Sequence, residues 1–180
     1  MSRFIVSICV LAGLTCAVSA QAGSNIDNAG TDVAIALPVV AGGITLWKKD
    51  WTGTAQLVVD TGLTVGTAIA LKHLVREQRP DHSDFNSFPS DTSALAFAPS
   101  QFLWDRYGWR YGLPAYAAAT FVGYSRVDAK AHHWWDVAAS AVISFAYSKL
   151  ITTEYHSTKS LYTDIEASPD GVYARVNYRW

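Results

Sequence analysis

Residues 125–136 read Ser-Arg-Val-Asp-Ala-Lys-Ala-His-His-Trp-Trp-Asp, and this stretch decides how the rest of the sequence is interpreted. If His132 and Asp136 stand at the start of a helix, their four-residue spacing places them on one face. The carboxylate can then hydrogen-bond an imidazole nitrogen and hold its tautomer, as a nucleophilic histidine requires. Arg126 adds a planar guanidinium suited to binding phosphate oxygens. The stretch predicts phosphoryl transfer through histidine, with an ordinary surface His–Asp pair as the alternative.

The composition indicates one domain with a substantial core. Of the 180 residues, 50% are hydrophobic, which suits a single packed unit. The 14 basic and 15 acidic residues give a net charge of −1. The sequence shows no basic stripe, so nucleic acid is not expected as a partner.

The N-terminus has the pattern of a secretory signal peptide. Arg3 precedes an apolar run over residues 4–18, and small residues follow it. We predict a signal peptide over residues 1–22, with an uncleaved anchor as the alternative. Both cysteines, Cys9 and Cys16, lie inside this segment, so the mature protein would need neither disulfides nor thiolate metal sites. The predicted location is the periplasm or cell envelope.

Five apolar stretches predict an all-α protein, a compact helical bundle of about five or more helices. Residues 23–31 are small and polar and predict a flexible lead-in. Residues 32–159 form the predicted phosphatase-like helical domain. Pro38 and the Gly42-Gly43 pair are expected to interrupt its first helix. The apolar stretches cover residues 33–47, 56–74, 92–107, 113–124 and 135–151.

The relation of this bundle to a membrane is open. Most of the apolar stretches are shorter than the about 20 residues needed to span a bilayer, and they contain polar groups. We therefore expect a bundle that is soluble or rests against a membrane, rather than a polytopic protein. Four tryptophans near helix ends have two interpretations, interfacial anchors or ordinary packing in the core or at its rim. They are Trp47, Trp51, Trp104 and Trp109.

The last segment, residues 160–180, changes its period from helical to alternating. Apolar and polar residues alternate on both sides of Ser168-Pro169-Asp170-Gly171, which predicts a β-hairpin with a tight turn. One hairpin cannot close a barrel. We expect it to pack on the bundle or to pair with a second copy, which leaves oligomerisation open.

Two further elements could complete an anion site. Lys72 and Arg79 are seven residues apart, or two helical turns, and Pro80 is expected to end their helix near Arg79. Ser90 is a suitable N-cap for a following apolar helix, whose free amides could bind an anion. Taken separately, these are equally typical of a solvated helix end and an ordinary capped helix.

Together the three elements resemble the type 2 phosphatidic-acid phosphatase family, whose superfamily also contains bacterial non-specific acid phosphatases and vanadium haloperoxidases. The family signature is Lys-x6-Arg-Pro, then Pro-Ser-Gly-His, then Ser-Arg-x5-His-x3-Asp. The resemblance extends over roughly residues 72–146. The matching residues are Lys72, Arg79 and Pro80 in the first block, Pro89 and Ser90 in the second, and Ser125, Arg126, His132 and Asp136 in the third.

The resemblance implies roles for these positions. His132 would attack phosphorus and form a phosphohistidine, and Asp136 would orient it. No metal and no other cofactor would be required. The substrate would be a lipid phosphate, a lipid pyrophosphate or another phosphomonoester. The phosphate oxygens would be held by Lys72, Arg79, Arg126 and Ser90.

The second block departs from the family pattern, because Asp91 and Thr92 replace its Gly and His. That His is the general acid in the family, and its loss typically costs about 10^2- to 10^4-fold in rate. Asp91 is open to three interpretations: an ordinary helix residue, a partner of Lys72 or Arg79 in a disabled site, or a substitute acid of raised pKa. His133 is another candidate proton donor. A metal site built from the two histidines and Asp136 is disfavoured for lack of a third well-spaced ligand.

The sequence thus predicts an envelope phosphatase, an acid phosphatase-type hydrolase that needs no metal and lacks the usual acid. The alternative is a catalytically impaired relative that binds an anion or a lipid headgroup, or serves as a scaffold. Haloperoxidase chemistry is a minor third option.

Overall fold

The computed structural model describes residues 25–155 with their side chains and the backbone of residues 24, 160–168 and 171–179. Within residues 24–155 the all-α class with five helices is confirmed. The predicted signal peptide lies outside the described residues. The helices are α1 (Ser24–Trp47), α2 (Trp51–Leu74), α3 (Asp91–Tyr107), α4 (Trp109–Asp128) and α5 (Trp134–Ile151).

Two antiparallel strands follow, β1 (Ser160–Ser168) and β2 (Gly171–Arg179). They occupy the segment in which the hairpin is predicted. Its side chains lie outside the described residues, so the packing of this segment stays a prediction.

The predicted flexible lead-in is wrong for residues 24–31, which form the first two turns of α1. Asp27 lies in the first turn, where the helix dipole favours a carboxylate. Gly30 packs directly on α4, because a Cβ added there would overlap Ser125 Oγ. The small residues therefore serve a close helix–helix contact, which the sequence alone does not distinguish from a flexible segment.

Helices α1 and α2 are longer than the apolar stretches that predicted them, with 24 residues each. The predicted interruption of α1 is also wrong, since the helix continues through Pro38 and the two glycines. A proline inside a helix removes one hydrogen bond, and the packing of the buried Leu37 and Ala41 outweighs that cost. Asn25–Trp47 and Trp51–Leu74 are both long and apolar enough, by length and composition, to cross a membrane.

Helix α3 is the centre of the bundle and contacts each of the other four helices. Its buried side chains include Phe102 and Leu103, and alanines such as Ala94 and Ala96 allow the neighbouring helices to approach closely. Phe102 is fully buried. The core therefore lies around α3, and the N-terminus of α3 is fixed relative to its neighbours.

A buried ion pair closes the end of the bundle where α1 meets α2. Arg106 donates to both oxygens of Asp50, from Nε at 2.8 Å and from Nη2 at 2.6 Å. The Tyr107 hydroxyl donates to the same carboxylate at 2.7 Å. Asp50 also caps α2 by accepting from the Gly53 amide at 2.9 Å. The opposite end of the bundle carries the N-termini of α1, α3 and α5 and the C-termini of α2 and α4.

The outer faces of the helices are rich in exposed apolar side chains, such as Val39 at 69% and Val58 at 66% exposure. The four tryptophans near helix ends are likewise partly exposed, with Trp51 at 72% and Trp104 at 39%. They are therefore not core residues. Trp47, Trp51, Trp104 and Trp109 all lie at the Asp50 end of the bundle.

Candidate active site

Lys72 and Arg79 do not share a helix face as predicted, because α2 ends at Leu74 and Val75 is already extended. Proline restricts the residue before it and so sets only the latest position at which a helix can end. Arg79 lies instead in the loop over residues 75–90. There its Nε lies 2.9 Å from Asp84 Oδ1 in an ion pair.

This loop packs against the motif over residues 125–136. The Asp81 amide donates to the Lys130 carbonyl at 3.2 Å, and the Ser90 amide donates to the Asp136 carbonyl at 3.3 Å. Ser140 Oγ also donates to the Ser90 carbonyl at 2.7 Å. The loop and the start of α5 therefore form one hydrogen-bonded unit, although they are distant in sequence.

His132 is buried and held through its Nδ1 atom. Nδ1 lies 2.7 Å from the Ser87 carbonyl oxygen, and the side chain of His132 is only 4% exposed. Since a carbonyl can only accept, Nδ1 carries a proton, and in the neutral imidazole the lone pair is then on Nε2. The predicted direct hydrogen bond to Asp136 is not formed, because Asp136 Oδ2 lies 3.6 Å from Nδ1. Sequence reasoning missed Ser87 as the partner.

Asp136 is fully buried, and its Oδ2 atom accepts two other hydrogen bonds. The Ser87 hydroxyl donates at 2.5 Å and the His133 amide at 2.8 Å. Burial opposes ionisation, but His132, the Ser87 hydroxyl and the His133 amide together hold the pKa of Asp136 below its ordinary value. The residue is therefore an anion in the folded protein.

Arg126 faces the start of α1. Its Nη2 atom pairs with Asp27 Oδ1 at 2.7 Å and also donates to the Asp27 carbonyl, while Nε donates to Ser125 Oγ at 3.2 Å. Burial lowers the pKa of Arg126, and the charges of Asp27 and Asp91 act in the opposite direction. Asp27 was missed because it lies in the segment predicted as a flexible lead-in.

Lys72 pairs with Asp91, with Nζ 2.8 Å from Oδ1. Burial raises the pKa of Asp91, but the hydrogen bond and charge of Lys72 and the hydrogen bond from the Thr92 amide outweigh it, so the pKa lies below its ordinary value. A substitute general acid would need a raised pKa. The geometry instead matches the interpretation in which Asp91 neutralises Lys72.

Each of the three predicted phosphate-binding cations thus has a carboxylate partner. Ser90, predicted as an N-cap, does cap α3: its Oγ accepts from the Ser93 amide at 3.3 Å. The hydroxyl of Ser90 also donates to Ser93 Oγ at 2.9 Å. The structure brings the expected groups to one end of the bundle, but the charge of each cation is already balanced by a carboxylate of the same chain. The three pairs are Lys72–Asp91, Arg79–Asp84 and Arg126–Asp27.

His133 belongs to a different cluster from His132. Its Nδ1 atom lies 3.5 Å from Asp136 Oδ2 and 3.8 Å from Glu77 Oε1, and its ring stacks on Trp135 at 4.3 Å. Glu77, His133 and Asp136 have the spacing of a possible metal site. Glu77 is therefore the third candidate ligand, which could not be identified from the sequence. Since Asp136 Oδ2 already accepts two hydrogen bonds, the cluster acts in this structure as a capping box for α5.

Comparison with known proteins shows what this chain is similar to. Lipid A 4′-phosphatase of Helicobacter pylori is 29% identical over 152 residues, covering 78% of this chain and 77% of the relative. The crystal structure of Aquifex aeolicus LpxE has a TM-score of 0.53 at 20% identity, covering 67% of this chain and 83% of that one.

A second similar structure is the transmembrane PAP2 type phosphatidylglycerolphosphate phosphatase from Bacillus subtilis. It also has a TM-score of 0.53 at 20% identity, covering 84% of this chain and 94% of that chain. At this identity the two structures show a shared fold. In sequence, residues 53–159 match the PAP2 superfamily, a range that includes every motif residue from Lys72 to Asp136. The chain therefore belongs to the PAP2 superfamily.

Proposed function

We propose that this protein is a lipid phosphate phosphatase of the cell envelope that works through a phosphohistidine at His132. One observation carries the proposal: the Ser87 carbonyl lies 2.7 Å from Nδ1 of the buried His132, so the Nε2 lone pair is available for attack. The family match and the similarity to lipid phosphatases support the reaction class.

The reaction would take two steps. In the first, Nε2 of His132 forms a bond to phosphorus while the bond from phosphorus to the leaving oxygen breaks, and that oxygen takes the electron pair. In the second, a water oxygen forms a bond to phosphorus while the bond from phosphorus to Nε2 breaks; the electron pair returns to Nε2, the water proton passes to the phosphate or to solvent, and inorganic phosphate leaves. The cations would stabilise the charge on the equatorial oxygens, which is the main catalytic contribution expected in phosphoryl transfer.

A substrate phosphate would have to replace carboxylates that already occupy the cations. Asp91 Oδ1 pairs with Lys72 Nζ at 2.8 Å, and Asp27 Oδ1 pairs with Arg126 Nη2 at 2.7 Å. The dianionic phosphate would exchange with these side chains at the pocket, and Ser90 with the α3 amides would complete the cradle. We expect substrate affinity to be limited by this exchange rather than by a shortage of cations.

The leaving group must depart without the usual acid. A threonine hydroxyl at position 92 does not donate a proton at neutral pH, and the lowered pKa of Asp91 removes it as an acid there. We therefore propose that the preferred substrates have leaving groups that need little protonation, such as a lipid pyrophosphate or an acidic phosphate. His133, flanked by Glu77 and Asp136, is the remaining candidate donor.

We also propose that α1 and α2 cross the membrane. Their 24 residues each correspond to about 36 Å of helix, more than the about 30 Å hydrocarbon core. The exposed apolar faces, with tryptophans such as Trp47 and Trp51 at one end, are typical of a lipid-facing surface. This arrangement would replace the expected soluble bundle and place the site near a lipid headgroup, on the periplasmic side if the predicted signal peptide is correct.

The proposal is tested by full-length protein purified in detergent and assayed on lipid phosphates and lipid pyrophosphates. Release of inorganic phosphate that is unaffected by EDTA and abolished by His132→Ala would support it. The same protein with no release from any of these substrates would overturn it. Halide oxidation with added vanadate tests the minor haloperoxidase option.

The second candidate is a catalytically impaired relative that binds an anion or a headgroup, or acts as a scaffold. The three carboxylate-paired cations favour it. The double substitution Asp91→Gly with Thr92→His restores the family block. A large gain of hydrolysis from an inactive wild type would establish impairment, whereas a rate loss from an active wild type would exclude it.

We further propose that the C-terminal hairpin packs on the bundle or pairs with a second copy. The strict alternation of its residues and the β1–β2 register support an element with one buried face. Truncation after residue 159, followed by measurement of molar mass by light scattering, distinguishes the two arrangements. Loss of a dimer on truncation would indicate pairing between copies.

A further inference from the structure

Ser87 contacts both residues of the predicted His–Asp pair. Its carbonyl oxygen lies 2.7 Å from His132 Nδ1, and its hydroxyl donates to Asp136 Oδ2 at 2.5 Å. The same hydroxyl lies 3.3 Å from His133 Nδ1. Ser87 is fully buried. No other described residue links the imidazole and the carboxylate in this way.

The distance between the His132 imidazole and the Asp136 carboxylate is longer than a hydrogen bond. Nδ1 of His132 is 3.6 Å from Asp136 Oδ2, and that oxygen already accepts from the Ser87 hydroxyl and the His133 amide. Asp136 therefore does not accept the Nδ1 proton in this structure. Its hydrogen bond instead fixes the residue whose carbonyl does accept that proton.

The backbone at Ser87 has few other restraints within the loop. Its amide donates to the Glu77 carbonyl at 3.0 Å, which orders the loop but does not join it to α5. The hydroxyl bond to Asp136 joins Ser87 itself to α5, in addition to the bonds that join Ser90 to α5. Without it, we expect the Ser87 carbonyl to shift and the ring of His132 to lose its fixed orientation.

We propose that Ser87 is a positioning residue for the nucleophile, through which Asp136 acts on His132. The inference rests on the proposed function, since it assumes that His132 attacks phosphorus. During attack, Nε2 forms the bond to phosphorus and Nδ1 keeps its proton. The ring becomes cationic, and the Ser87 carbonyl stabilises it without any proton transfer. Asp136 remains ionised and holds Ser87 in place.

The arrangement has a consequence that a purely structural role lacks. Because Ser87 and Asp136 act through one hydrogen bond, removing either group should remove the same effect on rate. Substitution of both should then cost little more than substitution of one. If Asp136 acted on His132 directly and Ser87 had a separate effect, the rate losses of the two single variants would multiply in the double variant.

The test compares single-turnover phosphorylation of wild type, Ser87→Ala, Ser87→Cys, Asp136→Ala and the double variant Ser87→Ala with Asp136→Ala. Ser87→Cys comes close to keeping the volume and has only a weak donor, so it serves as the test in case the alanine variant does not fold. Ser87→Thr keeps the hydroxyl. Ser100→Ala is the matched control, since the Ser100 hydroxyl is also buried but bonds only to the carbonyls of Ala96 and Ala115.

We expect Ser87→Ala and Ser87→Cys to lower kcat about 10- to 100-fold with little change in KM, because the nucleophile is displaced while phosphate binding is intact. Ser87→Thr should recover most of the rate, Ser100→Ala should match wild type, and the double variant should match Asp136→Ala. An active wild type with a fully active Ser87→Cys, or with losses that multiply, would overturn the role of Ser87 alone. An inactive wild type would overturn the proposed function as well.

Discussion

Asp91 Oδ1 lies 2.8 Å from Lys72 Nζ, at a position where the family pattern has glycine and therefore no side chain. The pair joins the end of α2 to the start of α3. It also neutralises a cation on which phosphate binding is expected to depend. The charge state of this pair therefore has a direct bearing on affinity for phosphate.

Removing the Asp91 charge should strengthen anion binding. Asp91→Asn leaves Lys72 without its carboxylate, so competitive inhibition by inorganic phosphate or vanadate should tighten by about tenfold, equivalent to about 1.4 kcal/mol. The control is Asp128→Asn, which removes an exposed charge near the same end of the bundle. Unchanged or weaker inhibition in Asp91→Asn would show that Lys72 does not bind phosphate.

Asp27→Asn tests the second pair in the same assay. Arg126 is 9% exposed and its Nη2 is held by Asp27, so removal of this charge should also tighten phosphate binding. Since the two pairs use different cations, the effects of Asp27→Asn and Asp91→Asn should add approximately. Loss of inhibition by phosphate in Asp27→Asn would mean that Asp27 is needed to hold Arg126 in position.

The positions that could be predicted from the sequence are those fixed by local geometry. The histidine–aspartate spacing and the Ser90 cap each lie within one or two helical turns, and both are present in the structure. Arg79 was misplaced because the end of α2 depends on packing rather than on Pro80. Helix lengths were underestimated because the apolar stretches leave out the more polar helix starts, residues 24–32 of α1 and 51–55 of α2.

Other contacts had no usable sequence signal. Asp27 meets Arg126 across 99 positions of sequence, and such a partner has no fixed spacing. Ser87 holds His132 through a backbone carbonyl, which every residue has. Gly30 is small because Ser125 lies against it, and sequence alone cannot tell this from flexibility.

The pair between Asp50 and Arg106 should control stability towards acid. Burial opposes ionisation of Asp50, but the hydrogen bonds from Arg106, the Gly53 amide and Tyr107 hold its pKa below the ordinary value of 3.8. A lowered pKa means that the stabilisation is fully present above that value and is lost as the pH falls through the folded pKa. The thermal midpoint should therefore show no pH dependence arising from this pair between pH 7 and pH 5, where its stabilisation is fully present, and should decrease below pH 3.8.

Asp50→Ala should be strongly destabilising, by about 3 to 5 kcal/mol, because it leaves Arg106 buried without its carboxylate. It should also remove part of the acid sensitivity. Thermal unfolding in detergent provides the measurement, with exposed Asp32→Ala as the control. Equal midpoints for Asp50→Ala and wild type at pH 7 would show that the pair does not hold this end of the bundle.

The proposed membrane position predicts the effect of a charge on the outer face of α2. Leu63 lies at the centre of α2 and is 45% exposed, and Leu63→Asp should weaken insertion, since a carboxylate near a helix centre costs about 2.5 to 3.5 kcal/mol. Retention in the membrane after a carbonate wash is the measurement, and Gln56→Asp, nearer the start of α2, is the milder comparison. Complete release of the wild type by carbonate would contradict the assignment of α1 and α2 as spanning helices.

The most direct test of the central claim is to trap the phosphoenzyme. Full-length protein is mixed briefly with a lipid phosphate carrying labelled phosphorus and quenched in base, and the labelled peptide is sequenced. We predict an acid-labile, base-stable label on His132 that is absent from His132→Asn. Continued hydrolysis by His132→Asn, or a label on any other residue, would contradict the claim that His132 is the nucleophile.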